Sequence, residues 1–132
     1  MAKKKNVATF LGPNKGLSII GSHSYAFSGA ITNGSGDTDV LLNFTTGSQY
    51  IVSKFGVGFG LDRTNDDMRV EISFNGVDVA SMVYNNNYEL GYDKMFDILI
   101  PPRTILNAQV VKVSGTQEVP VFLWMTGRVY DV

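Results

Sequence analysis

The sequence has no cysteine and a single histidine, and these two scarcities remove most active-site chemistry before any pattern is read. Without thiols there is no disulfide framework, no thiolate zinc or iron–sulfur site and no cysteine nucleophile. A Ser-His-Asp hydrolase would need His23 as its base. Its neighbours Ser22 and Ser24 do not become nucleophiles by adjacency, and no Gly-x-Ser-x-Gly elbow occurs. His23 therefore reads as solvated or turn-capping. Charge is also scarce, at 17% of 132 residues against a usual share of roughly 25%. Long apolar runs are missing. The longest, Val119–Met125, contains Pro120 and falls far short of the roughly 18 residues of a membrane helix. After Met1 to Asn6 the apolar stretch stops at Gly12-Pro13, too early for the core of a secretory signal, so synthesis in the cytoplasm without a signal peptide is expected. The triplets at Asn33 and Asn43 that match glycosylation acceptors then read as chance.

What is present is β-periodicity. Hydrophobic residues make up 44% of the chain, with 14 glycines, 8 Phe and 6 Tyr, enough for one domain with a real core. Tyr25 and Phe27 alternate with small residues, and Val40–Thr45 is an apolar run. From Phe55 onward the large residues Val57, Phe59 and Leu61 alternate with Gly56, Gly58 and Gly60. Such a glycine face lets a backbone or an aromatic ring come close. It is no phosphate cradle, because the third spacing is wrong and no helix follows. Val70, Ile72 and Phe74 precede Asn75-Gly76, and Val77 and Val79 follow it, which predicts a hairpin closed by a type I′ turn. Pro101-Pro102-Arg103 removes two backbone donors and marks a corner. The last strand runs over Val119–Val132, with Val121, Leu123 and Met125 on one side and Val119, Phe122 and Trp124 on the other.

Seven to nine strands and no helix predict an all-β fold, a single jelly-roll-like β-sandwich of about eight antiparallel strands. Residues 1–15 form a short basic arm and residues 16–132 the sandwich domain. The arm carries Lys3, Lys4 and Lys5 as candidate nucleic-acid contacts. Three lysines without interleaved aromatics read better as a solvated tail. Without residues 1–15 the body keeps seven positive against twelve negative charges, so it is not built to hold nucleic acid.

Asp37 and Asp39, and the run Asp62, Asp66 and Asp67, could offer oxygen ligands to calcium. Ordinary turn chemistry explains them better, because the glycine and distant glutamate of an EF-hand loop are missing. No metal, cofactor or catalytic residue is assigned. The segment Tyr84–Tyr92 carries tyrosines at 84, 88 and 92 and asparagines at 85 to 87. Tyr84, Asn86, Tyr88 and Tyr92 are candidate binding residues for a sugar or a partner's pocket, in competition with a loop packed by its own rings.

Two stretches carry a family resemblance. Asp97–Val110, with its Ile-Pro-Pro-Arg-Thr corner, and Val121–Tyr130, ending Gly-Arg-Val-Tyr, look like the closing strands of small jelly-roll virion proteins of phages and environmental viruses. The stretch through Val83 is similar to them too, with Phe44-Thr-Thr-Gly-Ser leading to Asp66-Asp-Met-Arg and then Phe74-Asn-Gly-Val. The matched positions are architectural, so no functional residue is carried over. The resemblance implies a non-enzymatic virion subunit, as minor capsid, cement, decoration or fibre-associated protein. It would form a homo-oligomer, a trimer or other cyclic assembly, on other virion proteins. The alternative is a β-sandwich module that binds a host-surface glycan or receptor through the Tyr84–Tyr92 loop. No membrane insertion is expected in either case.

Overall fold

A computed structural model describes residues 14–59, 67–84, 95–116 and 118–131. Over these residues the chain forms eleven strands: β1 (Asn14–Lys15), β2 (Leu17–Ile20), β3 (His23–Phe27), β4 (Ile31–Asn33), β5 (Thr38–Thr45), β6 (Tyr50–Phe59), β7 (Asp67–Phe74), β8 (Val77–Tyr84), β9 (Met95–Ile100), β10 (Ile105–Ser114) and β11 (Val119–Tyr130). There is no helix among the described residues. The strands make two sheets, ordered β1-β5-β10-β7-β8 and β2-β3-β11-β6-β9, with β4 also paired to β11.

The eight longer strands are nested in antiparallel pairs. β7 pairs with β8, β6 with β9, β5 with β10 and β3 with β11. This is one long hairpin rolled into two layers, the jelly-roll topology expected from the strand count. The tip of the hairpin is the Asn75-Gly76 turn, whose φ angles of 52° and 86° are those a type I′ turn demands. Asn75 also fastens the tip to β10. Its N–H donates to the Ile105 carbonyl and its Oδ1 accepts from the Ile105 N–H, both at 2.8 Å.

The predicted proline corner carries the chain from β9 in one sheet to β10 in the other. Thr46 Oγ1 donates to the Pro101 carbonyl at 2.7 Å and accepts from the Thr104 N–H at 2.9 Å. Arg103 takes a φ of 51° there, and its N–H donates to the Gly47 carbonyl. One threonine hydroxyl thus satisfies backbone groups that two prolines leave without ladder partners.

Between the layers lies the core, with Phe44, Phe55, Val57, Val70, Ile72 and Leu123 among its buried residues. Each such side chain contributes about 1.5–3 kcal/mol by leaving water. The Phe55 ring stacks on Phe96 with centroids 5.6 Å apart. Adjacent Leu41 and Leu42 are both buried, because the register with β10 slips between Ala108 and Gln109 and Leu41 is the extra residue. Val119 does not join Phe122 and Trp124 on the outside as expected. Strict alternation puts it inside with Val121, Leu123 and Met125.

Candidate interaction surface

The alternation that fills the core leaves each sheet an outer face, one with aromatic rings and the other crossed by a polar row, both with exposed aliphatic residues. On the β2-β3-β11-β6-β9 sheet the outward residues fall into rows across the strands. One row is Ile20, His23, Arg128, Val52 and Leu99, the next is Ser18, Tyr25, Thr126, Lys54 and Asp97, and the third holds Phe27, Trp124 and Gly56. Rings sit where the glycines allow them. A Cβ on Gly56 would lie 2.5 Å from Trp124 Cε2, and one on Gly58 would lie 2.8 Å from Phe122 Cε1. The indole and the phenyl ring therefore lie on bare backbone. The glycine face foreseen in the sequence is a seat for rings from β11.

Tyr25 and Phe27 continue the aromatic surface onto β3 and are about half exposed, at 55% and 50%. Ile20, Val52 and Leu99 are also exposed. The charges on this face are few. Lys54 and Asp97 pair at 2.8 Å, both well exposed, so the pair adds little to stability. Arg128 is exposed and has no ion-pair partner among the described residues. His23 is exposed opposite Arg128, as a solvated histidine would be.

The other sheet carries a hydrogen-bonded polar row on its outer face, with Val40, Val79, Val83, Ile105 and Val113 exposed around it. Asn43 Nδ2 donates to Asn107 Oδ1 at 2.9 Å, and Asn107 Nδ2 donates to Gln109 Oε1 at 3.3 Å. Gln109 Nε2 donates to Glu71 Oε1 at 2.9 Å, and Arg69 Nε donates to Glu71 Oε2 at 2.6 Å. The row crosses β5, β10 and β7. Hydrogen bonds from Gln109 and then Arg69 hold the Glu71 carboxyl below its ordinary value, against a smaller opposing effect of burial. These five residues come from three separate stretches of the chain, and nothing local marks the three as a group.

The individually predicted site residues fare differently. Tyr84 is the last residue of β8 and only 1% exposed. Its ring meets Phe59 edge-on at 5.3 Å, and its hydroxyl donates to Met82 Sδ at 3.6 Å. It belongs to the core, and its ring has no face left for a sugar. Asn86, Tyr88 and Tyr92 lie outside the described residues, as do Lys3, Lys4 and Lys5. Asn33 Nδ2 donates to the Asp37 carbonyl and to Asp39 Oδ2, at 3.2 and 3.0 Å, which is turn chemistry. Asp62 and Asp66 are outside the described residues, and Asp67 opens β7. No group of three acidic or histidine side chains among the described residues could hold a metal ion. The aromatic face itself was not singled out from sequence. Its signal was the parity shared by Tyr25, Phe27, Phe122 and Trp124, which needed the pairing of β3 with β11 to become a surface.

No family model matches the chain, and no curated protein matches it. Solved structures do resemble it. VP2 of infectious bursal disease virus, in a subviral particle, overlays with a TM-score of 0.52 at 15% identity, over 80% of this chain and 32% of that one. Particles with T=1 symmetry derived from the same virus give 0.52 at 16% identity, over 80% and 31%. Dimeric latent PorU from Porphyromonas gingivalis gives 0.52 at 12% identity, over 93% of this chain and 14% of that one. This chain thus spans about a third of the viral chains it matches. At these identities the likeness is one of architecture, a two-sheet β-sandwich found in viral capsid proteins.

Proposed function

We propose that this chain is a non-enzymatic structural subunit of a virus particle, which assembles with copies of itself and packs on other virion proteins. A minor capsid, cement, decoration or fibre-associated place, in a phage or another virus, is the finer form of the reading. The observation that carries it is the overlay of four-fifths of the chain on a protein solved as virus-derived particles. The overlay on PorU is as good, so fold does not decide alone. The residues add to it. One histidine and no cysteine leave little inventory for catalysis, whereas aromatic and aliphatic side chains stand exposed on the outer face of a sheet. Contiguous apolar surface of that kind belongs to proteins that meet other proteins. In this reading the packing body begins inside the expected arm of residues 1–15, because Asn14 and Lys15 pair with Phe44 and Asn43 of β5.

Sedimentation analysis of the purified chain over a concentration series, with electron microscopy of its assemblies, tests the proposal. Symmetric oligomers or closed particles are expected. A strict monomer at high concentration would overturn it.

A further inference from the structure

We infer that Asn75-Gly76 is a site of spontaneous covalent modification that the fold keeps shut: Asn75 deamidates only when the hairpin tip opens, and the isoaspartate it leaves keeps the tip from reclosing. The pair itself sets the chemistry. The Gly76 amide nitrogen attacks Asn75 Cγ, the new C–N bond closes a cyclic imide, and the side-chain nitrogen leaves as ammonia. Water then opens the imide at either carbonyl. One product is aspartate, and the other is isoaspartate, with the main chain rerouted through Cβ and Cγ. Glycine obstructs this attack least, having no side chain. No neighbour shields it here, because a Cβ on Gly76 would meet no atom within 4 Å. Asn75 is exposed as well, so water reaches the imide and ammonia can depart.

Backbone conformation keeps the site shut. The first central residue of a type I′ turn has φ about +60° and ψ about +30°, and Asn75 has a φ of 52°. Such a ψ sets Asn75 Cβ and Gly76 N on nearly opposite sides of the Cα–C bond, whereas the imide ring needs them on the same side. The side chain is pinned too, since Asn75 Oδ1 accepts from the Ile105 N–H at 2.8 Å. Ring closure must turn ψ, which carries either Gly76 out of the turn or the side chain off Ile105, so it waits on local opening. The two products then differ. Aspartate keeps an oxygen for the Ile105 N–H and can reclose. Isoaspartate adds a main-chain carbon to a two-residue turn, so Phe74 and Val77 can no longer face each other across it. The chain's other Asn-Gly pair, Asn33-Gly34, is shut by different means. Asn33 is fully buried, and its side-chain nitrogen donates to the Asp37 carbonyl and Asp39 Oδ2.

The full chain is held at mildly alkaline pH, with and without urea, and sampled over days by peptide mass spectrometry. The mass gain of amide-to-acid exchange marks deamidation at each asparagine, and labelling by an isoaspartyl methyltransferase marks isoaspartate. In urea both pairs should react at similar rates. In the native chain Asn75 should slow at least about tenfold yet stay ahead of Asn33, because a turn opens more readily than a core. Ile105→Pro removes the donor to Oδ1 at the first residue of a strand, where proline is tolerated. It should speed Asn75 several-fold and leave Asn33 unmoved. A native Asn75 that reacts as fast as in urea overturns the gate, and so does one that Ile105→Pro fails to speed. A native Asn33 that reacts first overturns the choice of site. Asn75→Asp bears the new charge without the longer main chain and should keep the wild-type urea midpoint, whereas the isoaspartate fraction should unfold earlier. Equal midpoints for the two would overturn the claim that the product keeps the tip open.

Discussion

The two outer faces of this sandwich solve the same problem in opposite ways. On the β5-β10-β7 side, Asn43, Asn107, Gln109, Glu71 and Arg69 hydrogen-bond to one another in a row, so these polar groups are satisfied within one chain while Val40, Ile105 and Val113 stay exposed beside them. On the β3-β11-β6 side, the Trp124 and Phe122 rings rest on Gly56 and Gly58, and Tyr25 and Phe27 beside them are half exposed. A polar row that satisfies itself has nothing to gain from a partner. An aromatic row gains with every ring that is covered, at roughly 25 cal/mol per Å² of apolar surface removed from water.

The comparison can be broken most strongly at its glycine floor. Gly56→Val puts branched carbons where the indole rests, so Trp124 must lift. We expect a loss of about 2–3 kcal/mol from overpacking, read in urea unfolding, with tryptophan emission shifted to the red. An unchanged midpoint would mean the ring is not seated as described. Next in size is Glu71→Ala, which strips the acceptor from both Gln109 and Arg69. It should cost about 1–2 kcal/mol while leaving self-association at its wild-type strength. Weakened association in that variant would show the polar face to be an interface after all.

Acid sharpens the same point. Because the Glu71 carboxyl is held below its ordinary value, its stabilisation is fully present above the unfolded value and is lost as pH falls through the folded one. Wild-type protein should therefore lose more stability than Glu71→Gln between neutral pH and the acid limb, in parallel urea titrations. Identical acid limbs would deny the row its electrostatic share. The smallest effect belongs to Lys54→Ala. Its pair with Asp97 is exposed on both sides, and a change within about 0.5 kcal/mol is expected from thermal unfolding.

How far the sequence could be read depended on how local each cause was. Asn75-Gly76 and Pro101-Pro102 act through their own backbone, so the hairpin and the corner were legible and both stand as expected. The glycine alternation told that something would approach closely. That it is Trp124, far along the chain, follows only from the β6–β11 register. Tyr84 was grouped with Tyr88 and Tyr92 by spacing, yet the parity of β8 turns its ring onto Phe59. The polar row was invisible, because its five residues come from three strands whose neighbours the sequence does not name. Val119 shows the converse, a position misplaced although plain alternation with Val121 would have put it inside.

The place of β11 has a consequence for how the molecule is made. This strand lies between β3 and β6 in the middle of its sheet, yet it leaves the ribosome well after both of them. Synthesis at roughly 5–20 residues per second leaves the earlier strands waiting for seconds with their central partner missing. During that interval the greasy inner sides of β3 and β6 are open to any neighbouring nascent chain. Closure of the sheet waits for β11, and a stop codon or frameshift before Val119 would release a body unable to close.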